Sequence, residues 1–189
     1  MELQAAIMEE LTSTLYEPKL IYYSKSFDDQ VRTFCVSPLG EVITESYDGI
    51  LTVNGQSYAE RKTKNTNFAI LVSTSFTEPF REPIAYGKYI ARLSNLLSGG
   101  VIIQRLGDLK AGRRSTEERI KRSLCVPTLK NATPGDLSFV LPYRYLADIQ
   151  EMLQAVGNLA AGAGVSRGLI QASSSGVIVA KEIAKRAKK

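Results

Sequence analysis

The chain has 189 residues, of which 44% are hydrophobic and 23% are charged, and this composition is typical of a folded globular protein. It contains no histidine, which excludes Ser-His and Cys-His dyads, histidine zinc sites and acid–base catalysis by imidazole. The net charge of +5 arises largely in residues 110–122 and 181–189. Such charge runs are usually solvated helix faces or chain ends, so we do not expect nucleic-acid binding.

The sequence predicts a cytoplasmic protein without a membrane segment. No apolar run approaches the roughly 20 residues that span a bilayer, and residues 1–13 are acidic and polar, unlike a signal peptide. The two cysteines, Cys35 and Cys125, lie far apart in the sequence, which suits a reducing compartment. They have no metal-ligand spacing, so we predict no metal site.

Residues 19–76 have the pattern of β-structure, because short runs rich in Val, Ile, Thr, Phe and Tyr alternate with turn residues. Strands are predicted at residues 31–37, 41–46, 50–53, 56–61 and 67–76. Asp48-Gly49 and Asn54-Gly55 are typical of type I′ hairpin turns, since both central residues of that turn have positive φ. Together these features predict an antiparallel β-meander whose apolar last strand is central.

The pattern becomes helical from Pro83 onward. The first predicted element is an apolar-striped helix at 83–100, which stops at a glycine pair, and a short strand follows at 101–106. A charged helix then begins at Ser115 or Thr116. The last two elements are a loop with an extended piece at 132–142 and a second apolar-striped helix at 143–156. The first helix carries its stripe on Ile84, Tyr89 or Ile90, Leu93 and Leu97. Glu118 suits a capping box for the charged helix. The predicted fold class is α+β, with helices packed on the meander.

The stretch from 160 to 186 begins as a glycine-broken run and turns into an amphipathic helix pattern. The first backbone N–H groups of a helix lack partners and lie at the positive end of its dipole, so glycines there can admit an anion. A loop that only starts the last helix has the same pattern. The stretch by itself is therefore consistent with two interpretations, an anion-binding site and a loop that only starts a helix.

Several long strings of the chain carry a family resemblance, among them "DGILTVNGQSYAERKTKNTNFAILVSTSFTEPF", "PIAYGKYIARLSNLLSGGVIIQRLGDLKAGRRST" and "GAGVSRGLIQASSSGVIVAKEI". The chain resembles the FAD-dependent dehydrogenase family, two-domain flavoprotein oxidoreductases in which a substrate-facing domain is inserted into a dinucleotide-binding fold. The resemblance covers nearly all of the chain. It implies a substrate-type inserted domain at 1–156, followed at 157–189 by the glycine loop and C-terminal helix of the FAD-binding domain.

In the family this glycine loop brings the helix start against the flavin. The resemblance therefore implies FAD-contacting residues at Gly162, Ala163, Gly164, Val165 and Gly168. The family's opening G-x-G-x-x-G unit and the aspartate before the loop are missing from this sequence. We therefore expect the chain alone to bind FAD weakly or not at all, and to need a separate or missing dinucleotide-binding segment.

The candidate substrate-facing residues of the predicted inserted domain are Cys35, Asn54, Ser57, Tyr58, Asn65 and Asn67. Cys35 is either a substrate-facing thiol or a buried small hydrophobic residue. The other five form a polar lip over the flavin, or else Asn54 is simply a hairpin-turn residue and the rest an ordinary polar loop. Arginines around Asp108 could clamp an anionic substrate, although a solvated helix start explains the same pattern. No catalytic residue is assigned.

The resemblance implies an FAD-dependent oxidoreductase that transfers hydride through its flavin to or from an unknown small-molecule substrate. This chain would supply the substrate-facing domain and the flavin-contacting segment. The alternative is a non-catalytic remnant that acts as a binding or assembly module.

Overall fold

The computed structural model describes residues 1–14 and 17–162, which form a mixed set of helices and antiparallel strands. In chain order they are β1 (Glu2–Gln4), α1 (Ala5–Thr14), β2 (Ile21–Tyr23), β3 (Gln30–Ser37), β4 (Glu41–Tyr47), β5 (Ile50–Gln56), β6 (Asn65–Ser73), α2 (Pro83–Ser98), β7 (Ile102–Ile103), α3 (Leu106–Lys110), α4 (Glu117–Lys121), β8 (Thr133–Pro134), a 3-10 turn (Leu137–Phe139) and α5 (Tyr143–Gly162). The predicted α+β class is confirmed.

The main sheet has the strand order β1-β6-β3-β2, and all its pairings are antiparallel. β6 lies between β1 and β3, so the apolar strand predicted at 67–76 is indeed central. The predicted sequential order is wrong, however, because β3 pairs with β6 while β4 and β5 form a hairpin sheet of their own. Pairing of the two long apolar strands buries Val31 and Phe68 on one face of the sheet, and this burial favours the non-sequential order.

The hairpin contains one of the two predicted turns. Asp48 and Gly49 both have positive φ, 51° and 72°, and they connect β4 to β5 as expected. The second turn prediction is wrong, because Asn54 and Gly55 lie inside β5 and the ladder continues to the pair Glu41 and Gln56. The strand predicted at 56–61 is therefore absent, and the chain from 57 to 61 is irregular.

Close approach, rather than a turn, explains the glycine at position 55. A Cβ atom built there would lie 1.9 Å from Oδ1 of Asn67 and 2.9 Å from Oγ of Ser37. Asn67 comes from β6 and is almost fully buried beneath the hairpin. Gly55 thus lets the β4–β5 hairpin lie directly against the main sheet.

The long helix α2 begins at Pro83 and ends before Gly99, whose φ of 64° terminates it as predicted. Its apolar stripe does not face the core: Ile84 is 78% exposed and Tyr89 is 67% exposed. The helix is attached instead by Asn95, whose side chain exchanges hydrogen bonds with the backbone of Leu51 in β5. The helical prediction is confirmed, whereas the inference from its stripe to burial is wrong.

The remaining predicted elements are found with shifted ends. The strand expected at 101–106 is reduced to β7, and its last residue begins α3. Helix α4 follows Thr116, whose hydroxyl accepts a hydrogen bond from the backbone N–H of Arg119 at 3.4 Å. Helix α5 continues past the predicted end at 156, and the division of the chain at that point stays a prediction. Within 1–14 and 17–162, no helix combines the length and apolar character required to cross a bilayer.

Candidate functional site

The described residues form a partly open cavity of about 660 Å³ between the sheets and the helices. Its walls are mostly aliphatic and come from many elements, including Ile7 of α1, Val42 of β4, Val53 of β5, Ile70 of β6 and Ile149 of α5. Ligand sites for small organic molecules are typically clefts of this size and apolar character. The cavity is therefore the candidate site in the described part of the chain.

One wall of the cavity is polar, and its hydrogen bonds join residues 104–115 to residues 135–137. The side chain of Gln104 donates to the backbone oxygen of Arg113 at 2.9 Å and accepts from the backbone N–H of Leu137 at 2.9 Å. The backbone N–H of Ser115 donates to the oxygen of Gly135 at 2.9 Å. The parallel pair of β7 and β8 brings these segments together. Gln104 and Leu137 line the cavity, so this hydrogen-bonded seam forms part of its boundary.

The carboxylate of Asp108 lies behind this wall and is almost fully buried. It accepts a hydrogen bond from Nε of Arg113 at 2.8 Å and another from Oγ of Ser115 at 2.9 Å, and Nη1 of Arg105 lies 3.7 Å away. Burial alone would raise the pKa of Asp108, but these hydrogen bonds and the charge of Arg105 outweigh it, so the pKa lies below its usual value. Asp108 is therefore an ionised internal carboxylate and not part of a solvated helix start.

Cys125 is the thiol that lines the cavity. Burial, with a further contribution from the negative charge of Glu2, raises the pKa of this thiol to about 11. The side chain is therefore protonated near neutral pH and behaves as a small hydrophobic residue rather than a nucleophile.

Cys35, which the sequence placed on a strand near a turn, lies at an irregularity in β3. Its φ is 46°, and the register between β3 and β6 shifts between Phe34 and Ser37. The thiol is partly exposed and does not belong to the cavity lining. Its role as a substrate-facing residue stays a prediction.

The predicted polar lip divides into two groups. Asn54, Ser57 and Tyr58 lie at the surface: Asn54 donates to Glu45 at 3.0 Å, Ser57 donates to the backbone of Pro38 at 3.1 Å, and the guanidinium of Arg61 stacks over the ring of Tyr58. None of the three belongs to the cavity lining.

The other two asparagines of the lip are buried in β6. The amide of Asn65 donates to the backbone oxygen of Val126 at 2.7 Å and to Glu2 at 3.2 Å, and so ties β6 to the loop beside Cys125. Asn67 lies against Gly55, and its amide nitrogen has no hydrogen-bond partner among the described residues. These contacts give both residues packing roles, and their contact with a substrate stays a prediction.

Sequence reasoning missed an acidic pair where α5 meets the main sheet. Arg144 of α5 donates two hydrogen bonds to Asp29, at 2.5 and 2.8 Å. Asp148 lies one helical turn after Arg144 and is completely buried. The hydrogen bonds from Arg144 lower the pKa of Asp29, whereas burial raises the pKa of Asp148. The sequence signal that could have indicated this site is Arg144 and Asp148, two charged residues four positions apart in an apolar-striped helix.

Neither of the two longest described helices, α2 and α5, begins with a seat for the pyrophosphate of FAD. Such a seat needs glycine-flanked backbone N–H groups at a helix start, but α2 begins with Pro83, which has no N–H, and Pro142 precedes α5. Gly162 lies in α5, so its predicted place in a loop is wrong, while its contact with FAD stays a prediction. The other predicted FAD contacts, Ala163, Gly164, Val165 and Gly168, lie outside the described residues.

Metal chemistry has no site in the described ranges, because they bring no group of three Cys, Asp or Glu side chains together in a way that could hold an ion. The fold and the cavity define an α+β domain with a largely apolar, partly open cavity.

Comparison with known families identifies this domain. Residues 5–175 match the model of the family described as FAD-dependent protein, C-terminal domain-like, and the chain belongs to that family. None of the curated protein sequences matches the chain. Family membership gives the protein a flavoprotein-related role.

Proposed function

We propose that residues 1–156 are the substrate-facing domain of an FAD-dependent oxidoreductase of the dehydrogenase type, and that the apolar cavity holds its organic substrate. The cavity of about 660 Å³ carries this proposal, since its size and aliphatic walls suit a small molecule. Family membership supplies the association with FAD.

The residues around the cavity favour binding and exclusion of water over direct catalysis. The thiol of Cys125 stays protonated near neutral pH, and the chain has no histidine. The side chain of Gln104 is already engaged at both ends by backbone groups. In a flavoprotein the cofactor carries the redox chemistry and the protein orients the substrate. The lining of the cavity suits the orientation of a substrate, and FAD would be held mainly by a separate or missing dinucleotide-binding segment.

Binding of an uncharged apolar dye tests the cavity. The full chain should enhance the fluorescence of N-phenyl-1-naphthylamine, and Ala132→Trp, which adds an indole to the lining, should weaken binding about tenfold or more. Ala69→Trp is the matched control, because Ala69 is exposed on β6 outside the cavity. Absence of dye binding by the wild-type chain, or equal binding by the two variants, would refute the assignment of the cavity.

A second experiment tests the link to the flavin. The isolated chain should bind FAD weakly in a fluorescence-quenching titration, and co-expression with a dinucleotide-binding segment from a family member should give a complex that retains FAD. Sub-micromolar affinity of the isolated chain for FAD would contradict the need for a second segment. A complex without flavin would contradict the oxidoreductase assignment.

The exposed face of α2 favours a second candidate function, that of a non-catalytic binding or assembly module. Ile84 and Leu96 are 78% and 80% exposed, and apolar side chains this exposed on one helix are typical of contact surfaces. The dye experiment tests the first candidate alone, since a module that acts only through α2 does not require an accessible cavity.

A further inference from the structure

The ionic contacts at the cavity wall leave one arginine with only a long ion pair. Arg105 lines the cavity, and its side chain is 33% exposed. Its nearest anionic atom is Oδ2 of Asp108 at 3.7 Å, beyond hydrogen-bonding distance. Among the described residues the guanidinium donates no hydrogen bond to any acceptor.

Asp108 cannot fully neutralise Arg105, because other groups already occupy its oxygens. Oδ1 accepts from Arg113 at 2.8 Å, and Oδ2 accepts from the hydroxyl of Ser115 at 2.9 Å. Two guanidinium groups thus share one carboxylate, which leaves a net positive charge at this wall. The buried carboxylate fixes the position of Arg105 without using its hydrogen-bond donors.

The acidic side chain in the same lining, Glu2, does not compete for Arg105. Its carboxylate accepts hydrogen bonds from the backbone and the hydroxyl of Thr128 and from the amide of Asn65. These donors hold Glu2, a residue of β1, between β6 and the loop that carries Cys125. Its negative charge is therefore engaged at a different part of the lining.

We propose that the cavity binds an apolar monocarboxylate, with the carboxylate on the guanidinium of Arg105 and the hydrocarbon part against the aliphatic walls. This inference rests on the proposed function and specifies the substrate class of the same site. A guanidinium presents paired donors that match a carboxylate. A phosphate, with its larger charge, requires more donors than the single lining arginine offers. The aliphatic lining excludes small, strongly hydrated acids.

Displacement of N-phenyl-1-naphthylamine from the full chain by decanoate and by decanamide tests the proposal. The two compounds have nearly the same shape, so the ratio of their affinities reports the charge. We expect decanoate to bind about tenfold tighter or more, as for a charge-assisted hydrogen bond. Arg105→Gln should remove this preference and leave decanamide binding unchanged. Arg114→Gln, which removes the same charge from an exposed residue outside the lining, should preserve it.

The outcomes separate this inference from the proposed function. If both compounds displace the dye equally from the wild-type chain, the cavity remains a ligand site and the assignment of a carboxylate is overturned. Decyl phosphate, whose hydrocarbon chain is close in length to that of decanoate, overturns it as well if it binds more tightly than decanoate. If the dye itself does not bind, the proposed function fails first. Since the wild-type comparison needs no variant, loss of folding in Arg105→Gln does not prevent a decision.

Discussion

Gly55→Ala should destabilise the protein through a steric conflict, chiefly with the side chain of Asn67. The added Cβ atom would lie 1.9 Å from Oδ1 of Asn67, well short of van der Waals contact. Asn67 is 2% exposed and has little space in which to move. Overpacking of this kind typically costs 1–3 kcal/mol, and the short distance predicts a loss of about 2–3 kcal/mol in the free energy of unfolding.

Urea denaturation followed by circular dichroism measures this loss as a lower midpoint with an unchanged slope. In the background of Asn67→Ala the same substitution should cost less than about 1 kcal/mol, which gives a coupling energy of roughly 2 kcal/mol in a double-mutant cycle. Gly49→Ala is the control: its φ is 72° and nothing lies within 4 Å, so it should lose about 1 kcal/mol without coupling to Asn67. A coupling energy near zero for Gly55 would refute the explanation by close approach.

Three further predictions follow from named contacts. Gly87→Ala in α2 should stabilise the protein by about 0.5–1 kcal/mol in the same assay, because a Cβ there meets no other atom and alanine is the better helix former; a loss of stability would contradict the open surroundings of this site. Alkylation of Cys125, followed by mass spectrometry, should accelerate up to about pH 11, whereas a plateau below about pH 9 would contradict its raised pKa. Because the folded state raises the pKa of Asp148, it binds more protons than the unfolded state between the two pKa values, and stability falls there as pH rises. Asp148→Asn should remove that slope in urea titrations that start at the ordinary pKa of an aspartate and continue to higher pH, and an unchanged slope would show that the ionisation of Asp148 does not cause it.

Local signals in the sequence located most elements but did not identify what each residue does. Asp48-Gly49 and Asn54-Gly55 have the same turn signature, yet only the first is a turn. Asn67 is distant in sequence from Gly55 and meets it only when the hairpin packs on the main sheet. The apolar stripe of α2 likewise predicted the helix correctly but not its exposure. Backbone preferences extend over a few residues, whereas burial depends on the whole assembly of elements.

The candidate site was predictable only in its parts. The arginines around Asp108 were a candidate clamp for an anionic substrate, and residues 132–142 were predicted as a loop. Their contact through Gln104 depends on the pairing of β7 with β8, and no local pattern indicates this pairing. The cavity was not predictable at all, because its lining comes from helices, strands and loops along most of the described chain.

The sequence by itself determined the α+β class, the position of the long helices and the exclusion of histidine chemistry, since composition and local periodicity are properties of the chain alone. Only the tertiary structure decided which charged residues are satisfied. Asp108 is ionised because Arg113 and Ser115 surround it, and Arg105 keeps its donors because those two occupy the carboxylate first. Desolvation and the sharing of hydrogen bonds arise between residues that folding brings together, and for that reason the character of the cavity wall appears only in the folded protein.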